Sequence, residues 1–427
     1  MSTKHCQKTS AITLPNLHAL AKESLLVIRE SPKFCPSVFL MTLMQSASSG
    51  HASFNKMAGA LGESLAPMSK QGLSARFSPK STKFLQSVLY SLMEQRLSPV
   101  RSTLEYAGTK RIIVEDSSAV SLPKKNAKCF PAHGNAHGKT AGLKIDFAYD
   151  LKSGQCVSHT LEKATEQDKS IGKETVTLAE EGDLFLRDMG YFILEDFDYL
   201  EEQGASWVTR LPMNCKVSTM DGKTLESVLK NTELNQLDLE VFAGEKKQKR
   251  CRLVAVRADQ NVVEQKHRKR KADAQKKGKK PSQDSLTRDG WHLILTSLSK
   301  EQASVEEIGH LYTCRWSIEL QFRGLKDALN LKKALNRITN KYHIEALVLA
   351  AMITHQLSQR VWNLYYKILH EVGKTLSLEK LFANLVIFLS KLTRLEEINQ
   401  FKPDLRHIAY EKRTRQDKVN TGFFPLA

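Results

Sequence analysis

From about residue 110 the chain changes its period, and short runs containing β-branched residues replace the helical spacing of the first hundred residues. RIIVED at 111–116 is the first run; LKIDFAYDL and QCVSHTLEKAT follow, parted by the turn Lys152-Ser153-Gly154. Glu174 to Glu181 reads as helical, DLFLRD as a strand, FILEDFDYLEEQG as a helix and SWVTRLP as another strand. The order strand, strand, strand, helix, strand, helix, strand restricts the fold to the α/β class. It predicts a mixed sheet covered by helices.

The flanks differ. Residues 1–105 carry short helical segments such as HALAKESLLVI and STKFLQSVLYSLMEQRL, readable as a DNA-binding region or as a helical cap on the next domain. Residues 213–300 read as a β-rich insertion, with strands in LDLEVFAG, CRLVAVRA and WHLILTSL. Between the last two lies KHRKRKADAQKKGKK, a dense positive run without apolar periodicity. Like charges repel there, which predicts a mobile loop that either contacts DNA phosphates or is merely solvated. Beyond Glu301 helices return. Ser304 and Glu307 make a capping box for a helix expected to run through Leu331, and further helices are expected at 343–369 and 376–396.

Lysine and arginine outnumber aspartate and glutamate by 64 to 46, a net charge of +18 that favours a polyanionic partner, nucleic acid being the commonest. The seven cysteines (Cys6, Cys35, Cys129, Cys156, Cys215, Cys251, Cys314) stand singly. With no C-x-x-C pair they support neither a zinc ribbon nor a redox motif, and free thiols suit a reducing cytoplasm. The most apolar stretch, Ala346 to Ile353, falls far short of the roughly 20 residues of a membrane span.

The expected helix after Ser304 contains YTCRWSIELQFRGLK. On an uninterrupted helix Tyr312, Arg315, Glu319 and Lys326 fall within an arc of about 60°. Leu311, Ile318, Phe322, Leu325 and Leu329 form an apolar stripe roughly 80° away. Such a helix can bury one stripe against a sheet and present the other along a groove. Glu319 could hold a metal ion, with Arg315 and Lys326 neutralising phosphates on either side and Tyr312 donating to a phosphate oxygen. The bland alternative is ordinary i,i+4 pairing of Arg315 with Glu319.

The spacing Y-x2-R-x3-E-x6-K, matched here at all four positions, resembles the signature of the DDE transposases of bacterial insertion sequences in the insertion-sequence-four family. The flanking Arg-Trp and Phe-Arg, the latter contributing Arg323, are similar too. The resemblance covers residues 110 to about 360. It implies a ribonuclease H-like catalytic core with an inserted β-rich subdomain, plus helical N- and C-terminal regions. The expected divisions are 1–105, 106–345 and 346–427.

That family's chemistry uses three carboxylates and two Mg²⁺ ions, for which Mn²⁺ can substitute, because hard oxygen donors suit such cations. Asp116 closes the first expected strand and is the first carboxylate implied, although Ser117-Ser118 departs mildly from the family's usual Asp-Gly-Thr or Asp-Ser-Thr. Asp146 competes with it. Asp188, followed by Gly190 and Tyr191 in the family's Asp-x-Gly-Tyr pattern, is the second, and Glu319 the third. Trp291 is expected either to stack on a base flipped from a transposon end, as in some relatives, or to be a core residue; Trp207 and Trp316 are expected to pack. The implied activity is cut-and-paste transposition on double-stranded DNA, at transposon ends and target, by a homodimer without membrane association. The rivals are a nuclease that cuts without joining and a catalytically inactive, transposase-derived DNA-binding protein.

Overall fold

The computed structural model describes residues 13–97, 108–135, 138–371 and 374–410. A ten-stranded sheet organises it. Its strands are β1 (Arg111–Leu122), β2 (Pro131–Asn135), β3 (Gly138–Asp150), β4 (Cys156–Lys163), β5 (Asp183–Arg187), β6 (Ser206–Arg210), β7 (Val217–Thr219), β8 (Gln236–Ala243), β9 (Lys249–Arg257) and β10 (Trp291–Thr296). β4 and β2 share the outer edge of β3, and the order then runs β3-β1-β5-β6-β10-β9-β8-β7. β1 is antiparallel to β3 and parallel to β5, and β5 is parallel to β6. The expected mixed sheet is therefore present. The strands expected as a separate insertion instead extend the same sheet, because β10 pairs with β6 through Ile294↔Arg210 and its neighbours.

Alternation sets up two cores, one on each face. Ile112 and Val114 of β1, Leu184 and Leu186 of β5 and Ile294 of β10 bury on one side. Ile113, Phe185, Trp291, Leu293 and Leu295 bury on the other.

The first core is covered by helices from both ends of the chain: α1 (Leu17–Glu23), α2 (Pro36–Ser49), α3 (Phe54–Ser64), α4 (Lys70–Ser74) and α5 (Pro79–Glu94) from the start. The second face is covered from the middle of the chain by α7 (Lys173–Val176), α8 (Leu194–Glu202) and α9 (Leu225–Asn231), and the same stretch of sequence also holds α6 (Asp168–Ile171), α10 (Gln260–Lys276) and α11 (Gln283–Asp289). The later helices are α12 (Val305–Cys314), α13 (Ser317–Arg323), α14 (Leu331–Leu335), α15 (Lys341–Glu371) and α16 (Leu378–Leu389). Both α2 and α5 pack on α15, so the N-terminal helices share a core with the C-terminal ones. From Ala346 to Gln359 every residue of α15 is buried. Among the described residues no helix is long and apolar enough to cross a membrane.

Two local expectations are corrected. The basic run is not a loop: its first part forms most of α10, whose Lys, Arg, Ala and Gln residues are good helix formers. No residue of α10 is buried. It is tied to α11 by polar contacts, Arg270 to Asp289 at 2.6 and 2.7 Å and Lys266 Nζ to the Asp289 carbonyl at 3.3 Å. Nor does β1 end at Asp116. It continues to Leu122 by pairing with β3, although Ser117, Ser118 and Ser121 carry little strand signal.

The second face contains a fully buried ion cluster. Arg187 of β5 donates from Nε to Glu115 at 2.9 Å, from Nη1 to Asp196 at 3.0 Å and from Nη2 to the Gly172 carbonyl at 3.1 Å. A buried ion pair gains little over apolar packing, but removing one partner strands the other charge. Arg187→Leu is therefore expected to destabilise the fold by about 3–5 kcal/mol in urea unfolding. A cost below about 1 kcal/mol would show that Glu115 is neutralised without its partner.

Candidate active site

Glu115 and Asp116 are consecutive on β1 and so face opposite sides of the sheet. Glu115 points into the ion cluster with Arg187, and Asp116 points to the side covered by α12 and α13. The competitor, Asp146, lies directly opposite Ser117 on β3 and shares the Glu115 side, where it accepts a hydrogen bond from the Tyr191 hydroxyl. Asp116 therefore shares a face with Arg315, and Asp146 lies on the other side of the sheet.

β5 stops at Arg187, which is level with Glu115. Asp188 follows, so it lies beside Asp116 where β5 leaves the sheet while β1 runs on. Arg315 joins them. Its Nη1 donates to Asp116 Oδ2 at 3.3 Å, and its Nε stands 4.0 Å from Asp188 Oδ1, too far to bond. Tyr312 completes the link by donating its hydroxyl to Asp188 Oδ1 at 3.2 Å. Arg315 thus pairs with the strand aspartates, and the i,i+4 pair with Glu319 does not form. Burial pushes the Asp116 carboxyl above its usual range, against the pull of Arg315. Burial likewise pushes the Tyr312 hydroxyl up to about 12, so it stays a donor.

The expected continuous helix is broken twice. Around Arg315 and Trp316 the bonds run three residues back: Trp316 N to Thr313 O at 3.1 Å and Glu319 N to Trp316 O at 3.1 Å. This 3₁₀ link turns the chain faster than an α-helix, so Arg315 is buried while Glu319 and Arg323 are exposed. From Gly324 to Ala328 the chain is a π-helix, closed by Leu329 N to Gly324 O at 3.0 Å. The apolar stripe is kept nonetheless: Leu311, Ile318, Phe322, Leu325 and Leu329 are all buried.

Two features anchor α13 and the π segment. Gln321 Oε1 contacts His355 Nε2 at 2.6 Å and accepts from Gln359 Nε2 at 3.1 Å, both on α15. Gly324 lets the ring of Phe382 on α16 lie so close that a Cβ would stand 2.4 Å from it. The π segment then carries Lys326 to β1, where its ammonium meets the Ser118 hydroxyl and the Ala119 carbonyl, the latter at 3.0 Å. None of Ser118, Gln321, His355 or Gly324 was singled out from the sequence. Only the polar residues inside the otherwise apolar 346–359 stretch signalled a buried partner.

Of the two readings expected for Trp291, the structure has the core one, and Trp316 departs from the packing expected of it. Trp291 is 4% exposed within the second core, with the Arg257 guanidinium 4.6 Å over its ring, so it has no free face for a base. Trp316, expected to pack, is 58% exposed between Arg315 and Glu319. Trp207 packs as expected, stacked on Phe197 at 4.2 Å.

Asp116, Asp188 and Glu319 supply hard oxygen donors of the kind divalent Mg²⁺ takes. The two aspartates are drawn to one cation, the Arg315 guanidinium, while the Glu319 side chain makes no hydrogen bond or ion pair among the described residues. In that set no three His, Cys, Asp or Glu side chains are gathered closely enough to hold a metal ion. The donor chemistry fits a divalent ion at the aspartate pair, and Glu319 stands on the adjoining helix.

The transposase DDE domain family matches residues 107–354, a stretch that holds both aspartates and the Y-x2-R-x3-E-x6-K segment, and the chain belongs to that family. Relatives are the transposase for insertion sequence element IS231B of Bacillus thuringiensis subsp. berliner, 28% identical over 62% of this chain and 60% of its own length, and that for IS231F of subsp. israelensis, 27% identical over 81% and 80%. The chain thus spans about three fifths of the length of the first of these. A cryo-EM structure of a piggyBac transposase synaptic complex with hairpin DNA has a TM-score of 0.43 at 12% identity, over 96% of this chain and 82% of that one.

Two expected outcomes test this geometry. Gly324→Ala should cost about 1–3 kcal/mol, since the buried Phe382 ring has no room to retreat, and differential scanning calorimetry of both forms reads this directly. Burial first, then the nearby Glu115 charge, raises the Asp146 carboxyl to about 8. Its folded form binds the proton more tightly than the unfolded chain does. Its stability contribution is therefore complete below about pH 4 and lost as pH rises through about 8. Asp146→Asn should flatten the fall in melting temperature between those limits; an unchanged profile would remove Asp146 as its source.

Proposed function

We propose that the protein is an active DNA transposase that binds transposon ends, cleaves phosphodiester bonds with divalent metal and joins the freed 3′-hydroxyl ends to target DNA. The observation that carries this is the Arg315 guanidinium drawn to two neighbouring aspartates, Asp116 within β1 and Asp188 just past β5, from the link that leads into the helix bearing Glu319. Family membership sets the prior. The order β4-β3-β1-β5-β6, with its antiparallel and parallel pairings, supports a ribonuclease H-like core.

In this reading Asp116, Asp188 and Glu319 would hold Mg²⁺, proposed as two ions with Mn²⁺ as a substitute. Bound there, divalent metal activates the attacking water or 3′-hydroxyl and stabilises the departing oxygen. The chain's own residues prepare the ground. Tyr312 orients Asp188, and Lys326, fixed on the Ser118–Ala119 end of β1, adds positive charge beside the reacting phosphate. Arg315 leaves its buried Nε without a hydrogen bond, a donor that a phosphate oxygen can satisfy. The exposed Arg323 and the α10 cations add to the field that gathers DNA. Insertion-sequence-four membership, the three domain divisions, a homodimer at two DNA ends and a bacterial, nucleoid-associated location complete the proposal. The apolar face of α15 is taken up inside the fold, so any dimer contact lies elsewhere.

Cleavage of a labelled duplex carrying the element's own end, in Mg²⁺, tests this. Wild type should cut at the end and join it to target DNA, while Glu319→Ala should lose at least about 100-fold in rate and keep its affinity. Cutting without joining would favour a nuclease, and tight binding without cutting by either protein would favour an inactive DNA-binding descendant.

A further inference from the structure

A cleft of about 720 Å³ lies where the turn between α2 and α3 meets the segment joining α14 to α15. His51, Lys56, Lys333, Asn336, Arg337 and Asn340 are among its walls, and no carboxylate lines it. Lys56, Lys333 and Arg337 are exposed and form no ion pair among the described residues. Three cations around one hollow repel each other, and among the described residues no carboxylate lines the cleft to offset that repulsion; an anionic ligand would. Their field is felt by His51, which is held below the usual histidine range by Lys56 first and Lys333 second.

The cleft is built rather than incidental. The Lys333 stem lies against Gly50, the left-handed cap of α2 at φ +69°, so closely that a Cβ there would stand 2.7 Å from its Cδ. Lining the cleft is His343, 1% exposed and stacked on Phe54 at 4.5 Å, whose buried Nε2 has no hydrogen-bond partner. Both α3 and α15 begin beside the cleft, and helix N-termini carry partial positive charge.

A second groove runs from this cleft towards the catalytic helix. Lys326, Asn330 and Lys332 line it, and it shares Lys333 and Asn336 with the first. The cations therefore form one track from the signature lysine to the N-terminal helices.

We propose that this track binds successive backbone phosphates of a DNA strand leading away from the catalytic carboxylates. The inference rests on the reading of the protein as a transposase and names a surface for its DNA. The charges that lysine and arginine bring to the walls are all positive, so the contacts would set position and register without reading bases.

The test uses the full chain and a fluorescent duplex carrying the element's end, with affinity measured from about 50 to 200 mM salt. Each phosphate neutralised contributes about 0.9 to the slope of log affinity against log salt. Lys56→Gln/Lys333→Gln/Arg337→Gln should lower that slope by about two to three and weaken binding at least about 10-fold at the low-salt end. Lys56→Arg/Lys333→Arg/Arg337→Lys, which keeps the charges, should hold the wild-type slope. A triple glutamine variant with the wild-type slope would overturn the track, as would an equal loss in the charge-keeping variant. Wild-type binding without cleavage would count against the catalytic reading alone and leave the slope comparison intact.

Discussion

A strand sends neighbouring side chains to opposite faces, and this site depends on that rule at one pair, Glu115 and Asp116. One carboxylate is turned inward and held by Arg187; the other is turned outward and faces Arg315. The inward pair does more than fill space. It fixes β1 against β5 at the level where β5 ends, and so sets Asp188 beside Asp116. A shift of one residue in that pairing would turn Asp116 to the Arg187 side and Glu115 to the Arg315 side. The registry of two strands and the assembly of the acidic pair are thus one problem with one solution.

The signature helix solves a second problem, which a regular helix could not. Arg315 must reach down to the strand ends while Lys326, eleven residues on, must reach across to Ser118. The 3₁₀ link overwinds the chain after Tyr312, and the π segment underwinds it after Arg323. Both departures are held by tertiary contacts, Gln321 with His355 and Gln359 on α15 and Gly324 under Phe382 on α16. A π segment sitting where a functional side chain must be re-aimed is a recurring pattern.

Much of this was legible beforehand. The α/β class, the strands β1, β3, β4, β5 and β6, the capping box at Ser304 and the buried stripe of the signature helix all follow from local pattern, whereas β2 does not. What escaped was non-local. Ser117 and Ser118 belong to a strand only because β3 pairs with them, and the helix of residues 266–276, though built of good helix formers, is held against Asp289 of a later segment. Trp291 and Trp316 look alike in sequence, and a buried β10 and a 3₁₀ link decide which one meets solvent. The two helix irregularities were invisible because the contacts that surround them, Phe382 against Gly324 and His355 and Gln359 on Gln321, lie 30 to 60 residues downstream.

The burial of α15 also governs how the chain can be made. α2 and α5, among the first helices synthesised, have apolar faces whose partner is α15, some 250 residues later. At roughly 5–20 residues per second, that surface waits tens of seconds for its cover. Such high contact order makes folding slow and obliges the nascent chain to rely on chaperones or on transient partners of its own. A ribosome that stops before residue 341 releases N-terminal helices that have one another but lack α15, so truncated products should be cleared by proteolysis.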